Sequence, residues 1–292
     1  MLLQITNLMK TYKGNIAALH DINCSLKKGI VGVIGPNSAG KTTFLKIIAG
    51  LEEPTSGQVR FDGLELRQNK QIFRSMIGYL PQEFGFYSKS TGEAILDYIA
   101  VLKGIDDKKM RQYGVDEVID LVNLNDVRKL TIKEYSFGMK RRLGIAQALL
   151  GKPRILILDE PMEGLDPGET IRLGRIIGEM ASQSLVIIST HSLSNVEFGC
   201  STLLVLRQGY MLYDGTPAEL ISLADGLVWQ VEATFQQIEQ LKATFNIVGI
   251  QQKDGYMVVR ILSPQKPPGK AIAAKARLEE GYLTLLHSGV HS

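Results

Sequence analysis

Residues 35–43 read GPNSAGKTT, a stretch that fits the pattern G-x-x-x-x-G-K-[S/T]. The flanks decide what it is. The apolar run IVGVI (30–34) precedes it and the helical run FLKIIAGL (44–51) follows. Strand, glycine loop and helix is the order this motif requires. Backbone N–H groups of the loop (Gly35, Pro36, Asn37, Ser38, Ala39 and Gly40, of which Pro36 offers only its carbonyl) and the positive end of the helix then form a cradle for nucleotide phosphates. Lys41 reaches those phosphates, the Thr42 hydroxyl suits Mg²⁺, and Thr43 completes the stretch. The plainer alternative is a glycine turn ahead of a helix.

Working outward, ILILDEP (155–161) is an apolar strand that ends in two acids. At the carboxyl edge of a sheet, Asp159 can hold Mg²⁺, and Glu160 can act as general base toward an attacking water. Alone, such a pair also reads as a helix cap and first-turn acid. VGVIG, ILILDE and LVIIST carry the unbroken apolar character of strands buried on both faces, as in a parallel sheet covered by helices. Short strand-like runs lie at 2–8, 30–34, 155–158, 185–189 and 202–206. Between Ser90 and Leu150 the periodicity is helical, in EAILDYIAVLKG, DEVIDLVNLND and KRRLGIAQALL. The expectation is an α/β core at 1–220 with a helical insertion at about 83–150.

After Leu220 the pattern changes. GLVWQVEA reads as a strand, TFQQIEQLKATF as a helix, and IVGIQQKDGYMVVRIL as a hairpin turning at Asp254-Gly255. PQKPPG then breaks the chain before a final helix, KAIAAKARLEEGYLTLL. Residues 221–292 are therefore expected to form a small α+β accessory domain.

Composition limits the alternatives. A chain of 292 residues with 45% apolar and 22% charged residues is ordinary for a globular protein. A net charge of +3 and no basic stripe with interleaved aromatics give no nucleic-acid footprint, so no nucleic acid is expected as partner. Cys24 and Cys200 form no metal or redox spacing. MLLQITNLMK lacks the features of a signal peptide, and no apolar run reaches the ~18 residues of a membrane span. A cytoplasmic chain is expected, with any membrane role supplied by a partner.

Taken together, these motifs resemble those of the ATP-binding subunit of a bacterial ABC transporter of exporter type, over residues 2–220. The resemblance implies a P-loop NTPase core with a parallel sheet, an antiparallel β edge subdomain and the helical insertion. It implies ATP and Mg²⁺ as ligands. It assigns Tyr12 in KTYKG to stacking on adenine, and Gln82 in YLPQ to sensing Mg²⁺ and the water while contacting a membrane partner. Asp166 in GLDP matches a loop that crosses a dimer interface, and His191 in STHS a switch residue at the γ-phosphate. Catalysis would then rest on Glu160, His191, Gln82 and Lys41, with Thr42, Gln82 and Asp159 around the metal. Surface aromatic, solvated loop residue, turn initiator and capping histidine are the respective plainer readings of Tyr12, Gln82, Asp166 and His191.

The stretch YSFGM (135–139) lies on the signature usually written LSGGQ. In this family two ATPs sit between head-to-tail subunits, so Ser136, Gly138 and the following helix end would bind the nucleotide of a second ATPase subunit, in a homodimer or with a paralogue. Ser136 also reads as an ordinary helix cap. Tyr135, Phe137 and Met139 depart from the usual form, and Ser38 replaces a loop glycine, which requires a backbone angle that an L-residue can adopt. The segment EFGFYSKSTGEAI (83–95) would dock a polytopic permease, placing the subunit peripherally on the inner face of the cell membrane. Its aromatics could equally pack the insertion's own core. Competing functions are a soluble ABC ATPase in translation or DNA repair, an importer subunit, and a GTPase or kinase. Two cassettes in one chain, a long coiled coil or an NKxD-like guanine reader would mark some of these, and none is evident.

Overall fold

The computed structural model describes residues 1–253 and 256–288; the turn expected at Asp254-Gly255 lies outside the described residues. The chain divides into two compact units, Met1–Asp214 and Gly215–Ser292.

The first unit holds strands β1 (Leu2–Tyr12), β2 (Ile16–Lys27), β3 (Gly29–Ile34), β4 (Ser56–Phe61), β5 (Leu64–Glu65), β6 (Ile77–Leu80), β7 (Ile155–Asp159), β8 (Leu185–Thr190), β9 (Thr202–Arg207) and β10 (Tyr210–Gly215, which ends at the boundary). Its helices are α1 (Lys41–Ile48), α2 (Lys70–Met76), α3 (Gly92–Leu102), α4 (Lys108–Leu121), α5 (Phe137–Leu149) and α6 (Pro167–Ala181). One sheet runs β10-β9-β3-β8-β7-β6, and the five strands from β9 to β6 are mutually parallel. A second, in the order β2-β1-β4-β5, is antiparallel throughout.

Every residue of β7 and β8 is buried, as their unbroken apolar runs require. The two-residue period of a strand sends alternate side chains to opposite faces. Ile155, Ile157 and Ile187 join a core with α1 and the antiparallel sheet, whereas Leu156, Leu158, Val186 and Ile188 join one with α5, α6 and the helical insertion. Local chemistry starts the helices. Thr91 accepts from the Ala94 N–H at 3.2 Å to cap α3, and Asp107 from the Met110 N–H at 2.8 Å to cap α4.

The second unit contains α7 (Pro217–Ser222), β11 (Val228–Ala233), α8 (Phe235–Thr244), β12 (Asn246–Lys253), β13 (Tyr256–Leu262), β14 (Ala271–Ala273) and α9 (Leu278–Ser288). Its sheet order is β12-β13-β11-β14, and Ile238 and Leu241 of α8 pack against Val231, Val259 and Ile261. The helix expected to start at Lys270 starts at Leu278 instead. Ala271–Ala273 pair antiparallel with Val231–Trp229, so strand pairing overrides the helical propensity of an alanine-rich run. A Cβ on Gly281 of α9 would lie 2.2 Å from the Leu220 carbonyl oxygen, so the contact with the C-terminal end of α7 needs glycine.

Candidate functional site

The phosphate loop links β3 to α1. Gly35 has to be glycine because a Cβ there would come within 2.2 Å of the Leu206 carbonyl oxygen on β9. Ser38 sits at φ 64°, in the left-handed region that side chains disfavour. The loop therefore asks more of Ser38 than the sequence reading allowed. Lys41, only 7% exposed, donates from Nζ to the Gly35 carbonyl at 2.8 Å and the Pro36 carbonyl at 3.2 Å. Burial lowers its pKa, while Glu160 and Asp159 act in the opposite direction.

These residues line a cleft of about 410 Å³ that brings together Asn37, Ser38, Ala39, Gly40, Lys41, Thr42 and Thr43 with Gln82, Asp159 and Glu160. Strands β7 and β8 are parallel neighbours, with Asp159 opposite Ser189 at their carboxyl ends. Ser189 Oγ donates to Asp159 Oδ1, and the Glu160 N–H donates to Ser189 Oγ at 2.9 Å. Asp159 Oδ2 is buried without a hydrogen-bond partner. An unsatisfied, fully buried carboxylate oxygen is costly unless something compensates it. With Thr42 in the same cleft, that oxygen fits a hard divalent cation such as Mg²⁺.

Glu160 turns out of β7 at φ 50°. Its carboxylate lies between two cationic or donor groups: Oε1 is 3.7 Å from Lys41 Nζ and Oε2 is 3.1 Å from His191 Nδ1. Strand order thus joins Lys41, Glu160 and His191, spread over 150 positions of sequence, around one carboxylate.

Other predicted residues lie outside the cleft lining. Tyr12 OH donates to Glu52 Oε2 at 2.8 Å and is 3.3 Å from Thr43 Oγ1, which puts the ring beside the phosphate loop. Lys10 Nζ stands 5.0 Å from the centre of that ring. Ser136 caps α5, its Oγ accepting from the Met139 N–H at 3.2 Å. Gly138 follows in the first turn, and its missing Cβ would meet the Gly164 carbonyl oxygen at 3.7 Å. Asp166 caps α6 by accepting from the Glu169 N–H at 2.9 Å, with Pro167 as the first helical residue. In the single chain, Ser136 therefore caps a helix as its plainer reading had it, whereas Asp166 caps a helix where the plainer reading was a turn.

The departures in the signature have local explanations. The Tyr135 hydroxyl donates to the Val127 carbonyl at 3.0 Å, and Gly92 makes room for it: a Cβ there would lie 2.3 Å from that oxygen. Phe137 is 66% exposed and covers Gly164, where a Cβ would meet its ring at 2.1 Å. Among the aromatics after Gln82, Phe84 and Phe86 pack edge to face on the insertion's core, while Tyr87 is 80% exposed.

Sequence reasoning missed Arg141. In the helical run KRRLGIAQALL it carried no assignment, yet Arg141 is 2% exposed and donates to the backbone carbonyls of both Gln82 and Glu160.

A family model described as ABC transporter matches residues 19–163. The uncharacterised ABC transporter ATP-binding protein YxlF of Bacillus subtilis (strain 168) is 36% identical over 220 residues, covering 75% of this chain and 72% of the relative. The bacitracin transport ATP-binding protein BcrA of Enterococcus faecalis is 34% identical over 221 residues, covering 75% and 70%. Among solved structures, the dimeric post-hydrolysis state of the ATP-binding cassette MJ0796 bound to ADP and Pi superposes with a TM-score of 0.66 at 26% identity, over 73% of this chain and 98% of that one.

Proposed function

We propose that this chain, which belongs to the ABC transporter family of ATP-binding proteins, uses the cleft around Lys41 and Glu160 to hydrolyse ATP and so drives efflux through a separate membrane permease. ATP binding and ATPase activity come with the family. The roles of individual residues, the direction of transport and the partners are our reading.

The observation that carries it is the Glu160 carboxylate, held between Lys41 and His191 at the mouth of the phosphate loop. Lys41 and the loop amides hold the β- and γ-phosphates. Its present bonds to the Gly35 and Pro36 carbonyls occupy the donors that phosphate oxygens would take. Asp159 and Thr42, with Gln82, would hold Mg²⁺, which when bound neutralises charge on the β- and γ-phosphate oxygens. Glu160 takes a proton from the attacking water as its oxygen bonds to the γ-phosphorus; the bond to the bridging oxygen breaks, and ADP and phosphate leave. His191 orients Glu160 and the water. Tyr12, its hydroxyl fixed by Glu52, presents its ring to adenine.

Ser136, Gly138 and Asp166 are assigned to the nucleotide and interface of a second ATPase subunit in a head-to-tail dimer. The relative MJ0796 is described as dimeric, which supports this reading. Among the described residues no helix is long and apolar enough to cross a membrane. We read the permease as a separate polypeptide that docks on the segment after Gln82, where Tyr87 stands exposed. This arrangement would hold the chain on the inner face of the membrane. The role of BcrA in bacitracin transport supports transport over a role in translation or DNA repair. The unit from Gly215 onward is read as an accessory to this ATPase.

The test is to purify tagged full-length Glu160→Gln protein with ATP from native membranes in mild detergent. A stoichiometric polytopic membrane polypeptide is expected. Recovery with ribosomes or DNA and no membrane protein would overturn the transport reading.

A further inference from the structure

Arg141 lies in the second turn of α5, five residues after Ser136, with its guanidinium withdrawn from solvent. Its partners are backbone carbonyls, not a carboxylate. Nη1 donates to the Gln82 carbonyl at 2.9 Å, Nη2 to the Asp159 carbonyl at 3.1 Å and also to the Glu160 carbonyl, and Nε to the Pro161 carbonyl at 3.4 Å. Burying a guanidinium is expensive, and a fork of fixed donors recovers that cost only where acceptors converge on it. Here they converge because Glu160 leaves β7 at φ 50°, so that three successive carbonyls turn toward α5.

The consequence is geometric. The backbone that the guanidinium holds at residues 159–161 sets the direction in which the Glu160 carboxylate leaves, toward Lys41 and His191. The same side chain holds the backbone of Gln82, whose side chain lines the same cleft. The ring of Phe84, two residues beyond, lies 5.6 Å from the guanidinium carbon and fits against Gly144, where a Cβ would stand 2.6 Å from the ring. One side chain on the signature helix therefore spans the turn carrying the base and the segment carrying Gln82.

We propose that Arg141 is a positioning residue for ATP hydrolysis: it fixes the backbone at Gln82 and at Asp159–Pro161, and so aims Glu160 and Gln82 at the cleft. This rests on the assignment of those side chains to the hydrolytic site. Arg141 is not itself among the residues that line the cleft and holds only the backbone of three that do, so its loss should leave nucleotide binding in place and slow turnover.

The experiment uses the full chain with Arg141→Gln and Arg141→Lys. It reads steady-state ATPase activity, affinity for a fluorescent ATP analogue, and thermal melting. For Arg141→Gln, kcat is expected to fall on the order of 10- to 100-fold while the analogue's Kd stays within about threefold and KM changes little. Arg141→Lys keeps the charge and some of the carbonyl bonds, and should recover part of kcat. Three results would overturn the proposal: wild-type kcat in Arg141→Gln, a Kd that worsens as much as kcat, or no recovery in Arg141→Lys despite a normal melt. If Arg141→Gln does not fold, Arg141→Lys decides alone, by a reduced kcat with retained Kd against an unchanged kcat. A wild-type chain that binds the analogue but turns over no ATP would instead remove the hydrolytic reading on which the proposal rests.

Discussion

Replacing His191 with alanine removes the contact, 3.1 Å from Nδ1 to Glu160 Oε2, that its imidazole makes with the carboxylate of the base. A hydrogen bond to a charged group is worth about 1.5–3 kcal/mol. The imidazole is 58% exposed, so solvent screening brings the expected loss down to about 1–1.5 kcal/mol. At roughly 1.36 kcal/mol per factor of ten, kcat should fall about five- to fifteenfold. Affinity should hold, since Lys41 and the loop amides carry the phosphates, and melting should hold because an exposed ring contributes little to stability. The assay is Mg-ATP turnover over a range of substrate, with analogue binding measured in parallel. His191→Gln, which can still donate to Glu160, should recover part of the loss. A kcat within twofold of wild type, or a tenfold weaker Kd at unchanged kcat, would refute the reasoning.

Gly144→Ala would place a Cβ 2.6 Å from Phe84 Cζ and 2.8 Å from Leu80 Cδ1, and overpacking of this kind costs about 1–3 kcal/mol, read as a lower melting temperature by differential scanning fluorimetry. Burial pulls the Lys103 ammonium down to about 8, so between there and the ordinary lysine range near about 10.4 the unfolded chain binds more protons than the folded one. Stability should therefore rise with pH across that window, and urea midpoints of Lys103→Met should lose this rise relative to wild type. Asp159→Asn should raise the Mg²⁺ concentration for half-maximal turnover at least about tenfold while sparing metal-free binding of the ATP analogue, because the unpartnered Oδ2 is the oxygen it alters.

The sequence was legible where burial is uniform. Runs such as 155–158 and 185–188 are apolar at every position because helices or a second sheet cover both faces, and both appear as strands in the structure. β2, β4 and β6 escaped notice: the first two alternate exposed and buried residues, and β6 spans only four. Their pairing is set by distant neighbours, such as Ile5 opposite both Cys24 and Val59. The strand at Ala271–Ala273 was hidden for the same reason, since alanines favour helix until an edge strand is available.

Within the site, Lys41, Thr42, Asp159 and Glu160 could be read because their chemistry comes with a local pattern of loop, helix and strand end. Tyr12, Gln82 and His191 required a resemblance. The structure puts His191 on Glu160 and Gln82 in the cleft, and it shows Ser136 and Asp166 at work as helix caps. Arg141 could not be read from either source. Its partners are backbone carbonyls 18 to 59 positions away, and a pattern of side-chain types carries no information about them.

The most direct measurement of the central claim is the mass, by size exclusion with light scattering, of full-length Glu160→Gln protein at saturating Mg-ATP, with turnover measured alongside. Loss of a general base should slow hydrolysis on the order of 10²- to 10⁴-fold while the phosphate loop still binds ATP. The account predicts a dimer that retains ATP and falls apart when the nucleotide is removed. A monomer that binds Mg-ATP, or a Glu160→Gln chain that turns over at the wild-type rate, would contradict it.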